Sequence, residues 1–343
     1  MSLSKKEEKI MKSIIVASED DPHKPEFPPD NPHWPSTPTK KIEVPGFTNV
    51  WLKDESVNPT GTHKDRMAWE MIVTYKQLLA AKKSGRIKKL PQMSIISSGS
   101  AANAIQQMFK KYNLPNLKVL IDYRMDKDIK KSLEKINCEL YETDLSKKIL
   151  TTEDILKMTD NLGGIDITSD DSLAPFDVLY DWMSYDIINQ NADYVFIPYG
   201  TGHLYENIIN IAVREVKNIF FHDKRFKADT KKIRQCNFLG ATTNNPNTKA
   251  DKLYSPHLPF IHFDITWIKL AIEKGYIGDK SNVYTVSESY LSEAMDIAEK
   301  NNIISEYSGI AGLALMLQIK DKLPKNKKIL IINTGRTKYK NGI

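Results

Sequence analysis

Short apolar runs alternate with longer amphipathic stretches along most of the chain. Each run is bounded by turn-forming residues, which predicts a buried strand, and each stretch with regularly recurring apolar positions predicts a helix. Continuous apolar strands that alternate with helices predict an α/β fold with parallel sheets covered on both faces. The predicted strands are Val50–Lys53, Met93–Ser97, Lys118–Asp122, Cys138–Tyr141, Tyr194–Pro198, Cys236–Ala241 and Lys328–Asn333.

The predicted helices begin with a long one near His63. Its apolar positions include Met71, Tyr75 and Leu79, and Gly85 is a suitable C-cap. Further helices are predicted over Ala101–Tyr112, Lys127–Ile136 and Leu204–Val216, and near residues 290–300 and 309–320. The order of elements predicts two domains. Residues 1–55 and 166–343 form a large domain with an N-terminal arm, and residues 56–165 form a smaller α/β domain.

The N-terminal arm corresponds to residues 20–46, which contain a cluster of prolines and are predicted to be irregular. Proline fixes φ and removes a backbone donor. The segment is therefore expected to run as an extended arm over the surface.

The composition is that of an ordinary soluble globular protein, with 343 residues of which 41% are hydrophobic and 27% charged. The net charge of +6 comes from lysines scattered along the chain. No helical face is uniformly basic and no aromatic residues interleave with the lysine clusters. Solvated surface is therefore favoured over nucleic-acid binding.

Two cysteines, Cys138 and Cys236, are too few for a disulfide framework, and both lie in or beside apolar runs. This usage fits a reducing compartment. The N-terminus lacks the apolar core of a secretory signal, and no window is apolar for long enough to span a bilayer. A cytoplasmic protein without membrane segments and without a metal site is expected.

The most informative polar segment is Trp51-Leu-Lys-Asp-Glu-Ser-Val-Asn-Pro-Thr-Gly-Thr-His-Lys-Asp-Arg66. Within it, Lys64 lies where an extended segment turns into the long helix. A lysine amine held by a glycine turn at a helix start is well positioned to bond covalently to an aldehyde cofactor. A lone lysine near a helix end is usually solvated surface, so the catalytic interpretation depends on the segments downstream.

The segment Ile95-Ile-Ser-Ser-Gly-Ser100 runs from a strand through a glycine turn into a helix. Its backbone N–H groups and its hydroxyls are candidates to hold a carboxylate. The hydroxyls belong to Ser97, Ser98 and Ser100, on either side of Gly99. A simple capped turn has the same pattern.

The segment Val195-Phe-Ile-Pro-Tyr-Gly-Thr-Gly-His-Leu204 has the same strand, turn and helix order. Bare glycine backbone in front of a helix dipole is suited to an anion such as phosphate. Tyr205 stands where the dinucleotide fingerprint requires a third glycine, so a nicotinamide cofactor is not expected. Near the C-terminus, Thr334 lies at the end of an apolar strand, where a threonine that satisfies its own backbone is the ordinary alternative.

Together these segments resemble the fold type II enzymes that depend on pyridoxal 5'-phosphate, a two-domain fold similar to tryptophan synthase β. Within that group the chain most closely resembles threonine synthase, from about Thr37 to Lys338. The resemblance implies that Lys64 carries the cofactor as a Schiff base and that Thr334 faces the pyridine nitrogen. The implied phosphate-binding residues are Gly200, Thr201, Gly202, His203 and Leu204, and the implied residues at the substrate carboxylate are Ser97, Ser98 and Gly99.

The chain departs from the threonine synthase pattern at several of these residues. Ser100 replaces the asparagine that contacts the phenolic oxygen of the cofactor, His63 replaces a phenylalanine, and His203 stands where glycine is usual. Asp177 occupies the position of the arginine that grips the phosphate of phosphohomoserine. Because a carboxylate there repels a phosphorylated substrate, an unphosphorylated or cationic amino acid is expected to bind better.

The resemblance implies a lyase or synthase that carries out elimination or replacement at the β or γ carbon of a small amino acid, and it implies a homodimer. Lys64, once displaced by the substrate, is expected to remove the α-proton. The neutral Thr334 hydroxyl is expected to disfavour transamination. Two alternatives remain open: a serine/threonine dehydratase or racemase of the same fold, and a catalytically inactive binding protein that kept the fold.

Overall fold

The computed structural model describes residues 4–6, 9, 34–168, 179–218, 221–254 and 266–339. Its strands are β1 (Thr39–Val44), β2 (Phe47–Asp54), β3 (Met93–Ile96), β4 (Lys118–Asp122), β5 (Glu139–Thr143), β6 (Ile165–Asp166), β7 (Tyr194–Pro198), β8 (Asn237–Thr242), β9 (Asn282–Thr285) and β10 (Ile329–Asn333). Its longer helices are α1 (Lys64–Lys83), α2 (Ser100–Lys111), α3 (Lys127–Lys135), α4 (Thr152–Met158), α5 (Asp181–Ile188), α6 (His203–Lys217), α7 (Thr230–Gln235), α8 (Thr266–Glu273), α9 (Glu288–Lys300) and α10 (Ala311–Gln318).

These elements fall into two compact units. The large unit contains the described residues within 36–63 and 180–337, and the small unit contains those within 64–179 together with the flanking ends of the chain. The domain division expected from the sequence, at residues 55 and 165, stays a prediction.

The large unit is built on a six-stranded sheet with the order β1-β2-β10-β7-β8-β9. Its strands pair in parallel except for β1 and β2, which form an antiparallel hairpin. Strands β7 and β10 are buried at every position, as expected for strands covered on both faces. The apolar helix α10 packs against β7, β8 and β10 and supplies much of the core on one side of the sheet.

The hairpin corrects one prediction, because residues 39–44 within the supposed irregular arm form strand β1. Ile42 and Val44 are buried whereas Lys41 and Glu43 are exposed, which is the period of a half-buried strand. Pro38 and Pro45 flank the strand, and residues 20–33 of the predicted arm lie outside the described residues. The outer edge is covered by the Asn301 amide, which accepts from the Glu43 N–H at 2.8 Å and donates to the Glu43 carbonyl at 3.0 Å.

The small unit is built on a four-stranded parallel sheet with the order β5-β4-β3-β6. Helices α1 and α2 pack against each other, and the Tyr75 and Phe109 rings meet edge to face at 5.1 Å between centroids. Helix α1 is buried around most of its circumference near its start and becomes exposed only toward its end. The predicted α/β fold with parallel sheets flanked by helices is confirmed.

The part of the chain that the structure describes contains no helix that is long and apolar enough to cross a membrane. Both cysteines are buried free thiols, and burial raises the pKa of the Cys138 thiol to about 12. Such a thiol is neutral at physiological pH and is a poor nucleophile.

Candidate functional site

Several residues predicted to act in the site follow strands that end at one edge of the large sheet. Strands β2, β10 and β7 are parallel neighbours, so their carboxyl ends lie side by side. The predicted residue Thr334 directly follows β10, and the predicted turn that begins at Gly200 follows β7 after Tyr199. Ligands of open α/β sheets bind at this edge, beyond the strand ends.

The glycine-rich turn after β7 has the geometry of an anion cradle. Gly202 is the N-cap of α6 at φ 96°, a left-handed conformation that side chains disfavour. Gly200 has no room for a side chain, because a Cβ there would lie 2.8 Å from the carbonyl oxygen of Lys252. The turn therefore brings bare backbone to the N-terminus of a fifteen-residue helix, where N–H groups and the helix dipole favour an anion.

The side chains of Tyr199 and Thr201 add no charge to this turn, although the Glu206 carboxylate lies in the first turn of α6. Burial raises the pKa of the neighbouring Tyr199 to about 12, and the Glu206 carboxylate contributes to the same increase. This phenol is therefore neutral at physiological pH and adds no repulsion toward an anion. The Thr201 hydroxyl lies 3.2 Å from Nδ1 of His203, which orients the imidazole at the first position of α6.

Thr334 is fixed in place by hydrogen bonds of its backbone N–H and carbonyl, so its hydroxyl is available to a ligand. Its N–H donates to the Gly309 carbonyl at 3.0 Å, and its carbonyl accepts from the His63 N–H at 3.2 Å. The residue is only 9% exposed, and its hydroxyl has no hydrogen-bond partner among the residues that the structure describes. The hydroxyl of such a largely buried residue is suited to donate to a ligand atom with a lone pair.

Three glycines, Gly61, Gly309 and Gly335, pack closely together around the turn that carries Thr334. A Cβ on Gly335 would lie 2.0 Å from the carbonyl oxygen of Gly61, and a Cβ on Gly309 would lie 2.2 Å from the carbonyl oxygen of Gly335. Thr62 and Gly335 form an antiparallel bridge, and the Arg336 N–H donates to the Gly61 carbonyl at 2.9 Å. The segment that leads into Lys64 is thereby fastened to the turn that carries Thr334.

A buried polar network supports the same loop, and the sequence did not predict it. Nδ2 of Asn333 donates to Oδ1 of Asp54 at 2.9 Å, and Oδ1 of Asn333 accepts from Ser305 at 2.7 Å. Asp54 also accepts from the Ser56 hydroxyl at 2.6 Å. Each of these side chains is buried, and the hydrogen bonds among them hold the loop in one arrangement. The only sequence signal was an uncommon Asn at the end of an apolar strand.

In the small unit, Lys64 is the first residue of α1 and directly follows His63. Its side chain is half-buried, whereas the next two residues, Asp65 and Arg66, are buried. The N–H of His63 donates a hydrogen bond to the Thr334 carbonyl, so the backbone is fixed one residue before Lys64.

The serine turn after β3 is placed as predicted, at the start of the twelve-residue helix α2. Oγ of Ser97 accepts from the N–H groups of Gly99 at 3.0 Å and Ala102 at 3.2 Å, so this hydroxyl supports the turn itself. Ser98 is exposed and Ser100 is 9% exposed. Gly99 has φ 122°, and the space on its side-chain face is filled by the Tyr339 hydroxyl.

Asp177, the remaining predicted site residue, lies outside the described residues. Its role stays a prediction. Among the described residues there is also no cluster of His, Cys, Asp or Glu side chains suited to a metal ion.

These features fit pyridoxal phosphate. A glycine cradle at a helix N-terminus suits its phosphate, the Thr334 hydroxyl suits its pyridine nitrogen, and the Lys64 amine suits its aldehyde. The cradle and Thr334, both in the large unit, follow adjacent parallel strands, β7 and β10.

Comparison with known proteins gives the same result. The family model for pyridoxal-phosphate dependent enzymes matches residues 34–335. A crystal structure of O-ureido-L-serine synthase superposes with a TM-score of 0.61 at 16% identity, covering 88% of this chain and 89% of that one. An O-acetylserine dependent cystathionine beta-synthase from Helicobacter pylori has a TM-score of 0.59 at 15% identity, covering 98% and 96%.

A pyridoxal 5'-phosphate-dependent aspartate racemase is similar to the same degree, with a TM-score of 0.61 at 17% identity over 94% of each chain. A search of curated protein sequences gives no significant match. Because the solved structures share the fold at low identity and carry different activities, they identify no particular reaction. The family model covers most of the sequence, and the chain therefore belongs to the family of pyridoxal-phosphate-dependent enzymes.

Proposed function

We propose that the protein is a lyase or synthase that carries out elimination or replacement at the β or γ carbon of a small amino acid, similar to threonine synthase. The observation that carries this proposal is the hydroxyl of Thr334, a residue only 9% exposed just after β10, which has no hydrogen-bond partner among the described residues. Bound pyridoxal phosphate draws electrons from the α carbon of an amino acid joined to it. A neutral hydroxyl at the pyridine nitrogen moderates this effect, which favours loss or exchange of a side-chain group over amino transfer.

Lys64 has two roles in this proposal. Its amine would hold the cofactor at the aldehyde carbon and would accept the proton from the α carbon of the substrate. The interlocked loop supports the second role, because the bond from His63 to Thr334 restricts the backbone next to the lysine. Proton transfer requires a base held within hydrogen-bond reach of the reacting atom.

The serine turn is proposed to hold the substrate carboxylate. Backbone N–H groups at the start of α2 supply the donors, and the helix dipole favours the negative charge. Ser97 stabilises the turn through its two backbone hydrogen bonds. Ser100 is proposed to lie near the phenolic oxygen of the cofactor.

The phosphate assignment predicts a specific loss of cofactor affinity. Gly202→Asp adds a side chain and a negative charge at the N-cap of α6, so affinity for pyridoxal phosphate should fall roughly thirtyfold, or about 2 kcal/mol. Titration of the cofactor-free protein, followed by absorbance, measures this change. Gly275→Asp is the matched control, since Gly275 also has positive φ, is exposed and would have no atom within 4 Å of an added Cβ. Unchanged affinity in a folded Gly202→Asp protein would place the phosphate elsewhere.

The negative charge of Asp177 leads to a prediction about which substrate is preferred. A carboxylate that faces a phosphate in a partly desolvated site costs about 1–4 kcal/mol, so phosphohomoserine should be turned over poorly and an unphosphorylated or cationic amino acid better. Steady-state kinetics with phosphohomoserine, serine and O-acetylserine test this expectation, and Asp177→Arg should raise kcat/KM for phosphohomoserine alone. Efficient threonine formation from phosphohomoserine by the unaltered protein would contradict the prediction.

The same kinetic experiment separates the alternatives by their products. Pyruvate or 2-oxobutyrate without an added nucleophile indicates a dehydratase, and a D-amino acid indicates a racemase. A protein that binds cofactor and gives no product of elimination, replacement or racemisation with any amino acid, with or without an added nucleophile, is a binding protein of the same fold. A homodimer in the cytoplasm is part of the proposal, and sedimentation of the purified protein tests the dimer.

A further inference from the structure

An ion pair within the large unit connects the phosphate turn to the Thr334 turn. The Lys252 ammonium donates to the Glu306 carboxylate and, at 3.1 Å, to the Thr337 hydroxyl. The two charged side chains are 18% and 23% exposed. A pair that is buried to this extent is less screened than a surface pair, and removal of one partner leaves the other charge poorly solvated.

The backbone of Lys252 lies against the phosphate turn. Its carbonyl oxygen occupies the space where Gly200 would carry a Cβ, at 2.8 Å. Its N–H donates to Oγ of Ser308 at 3.0 Å. The main chain at this residue is therefore held between the glycine cradle and the segment that contains Glu306.

The other partner is attached to the turn that carries Thr334. The Glu306 N–H donates to the Gly335 carbonyl at 3.3 Å, and the Gly309 carbonyl accepts from the Thr334 N–H at 3.0 Å. A displacement of Glu306 is thus expected to shift Thr334, and a displacement of Lys252 is expected to shift Gly200.

We propose that Lys252 and Glu306 are positioning residues for the cofactor, which set the spacing between the phosphate cradle and Thr334. This inference rests on the proposed function, in which Gly200–Leu204 bind the phosphate and Thr334 faces the pyridine nitrogen. The two ends of one rigid cofactor must be held at a fixed separation, and a salt bridge across the gap supplies that constraint. The pair is neutral as a whole, so it adds no net charge beside the phosphate, and in this proposal its effect acts through geometry.

Single substitutions of the two partners distinguish geometry from charge. Lys252→Met leaves an extra negative charge near the phosphate, and Glu306→Gln leaves an extra positive charge. If the pair acted through charge, Glu306→Gln would tighten cofactor binding. Because it acts through geometry, both variants should weaken pyridoxal phosphate binding by roughly tenfold, about 1.4 kcal/mol.

The experiment is titration of the full-length, cofactor-free protein with pyridoxal phosphate and, separately, with pyridoxal. Pyridoxal lacks the phosphate, so its affinity should change by less than about twofold in either variant. The reversed pair, with Lys252→Glu and Glu306→Lys together, should recover most of the lost affinity. Lys148→Met is the matched control, since it breaks an ion pair of 2.8 Å in the small unit and should leave both affinities unchanged.

Tighter or unchanged pyridoxal phosphate binding by Glu306→Gln would overturn the proposal, and so would equal losses for pyridoxal and pyridoxal phosphate. Failure of the proposed function looks different. In that case Gly202→Asp would also leave pyridoxal phosphate affinity unchanged. If Gly202→Asp weakens pyridoxal phosphate binding as expected while Glu306→Gln leaves it unchanged, the positioning role of Lys252 and Glu306 is refuted and the proposed function is not.

Discussion

Replacement of Lys64 by alanine is expected to lower kcat by at least about a thousandfold, because the same amine holds the cofactor and moves the α-proton. Lys64→Arg should be as inactive, since a guanidinium keeps the positive charge but does not replace the amine that bonds to the aldehyde. Lys83→Ala is the matched control, because Lys83 is an exposed residue of the same helix. Turnover is measured with the best amino acid found in the substrate screen.

The Lys64 variants also separate catalysis from binding. Both should retain the glycine cradle and Thr334, so they should still bind pyridoxal phosphate, with reduced affinity. Activity within about tenfold of the unaltered protein in Lys64→Ala would show that a different residue moves the proton.

Gly335→Ala is expected to destabilise the large unit by at least about 3 kcal/mol. Two effects add at this residue. It has φ 95°, which disfavours a side chain, and a Cβ would lie 2.0 Å from the carbonyl oxygen of Gly61. The contact is with backbone, so no side-chain rotation relieves it. The loop before Lys64 and the turn at Thr334 would have to separate.

Denaturant unfolding of Gly335→Ala measures this loss, with the midpoint shifted and the slope unchanged. Gly85→Ala is the matched control, since Gly85 has φ 75° and an added Cβ there would have no atom within 4 Å. Its loss should be about 1 kcal/mol, the cost of the left-handed backbone alone. Equal losses in the two variants would mean that the interlock of the three glycines contributes nothing to stability.

The strands and helices that position the site were predictable because their signals are local. The apolar run that ends at Asn333 has the length of a buried strand, and the glycines at Gly200 and Gly202 mark a turn between a strand and a helix. Both signals lie within a few residues of the sequence. Strand β1 was missed because the nearby prolines predict irregular backbone, and its alternating Ile42 and Val44 are a weaker signal. Strand β9 was missed because Asn282–Thr285 is an edge strand with mostly exposed residues, and such strands carry little apolar signal.

The interactions across the large sheet were not predictable from one sequence. Lys252 and Glu306 are far apart in the chain, and neither stands in a motif that requires the other. The same is true of Asp54 and Asn333, which pair only because β2 and β10 are parallel neighbours. Contacts of this kind depend on strand order, and periodicity along the chain does not specify strand order.

The central claim is that Lys64 holds pyridoxal phosphate, and borohydride reduction tests it most directly. The purified protein should be yellow, and reduction followed by peptide mass spectrometry should find a pyridoxyl group on Lys64 and on no other lysine. The same treatment of Lys64→Ala should leave the protein unlabelled. A pyridoxyl group on a different lysine, or no labelling after incubation with the cofactor, would contradict the claim.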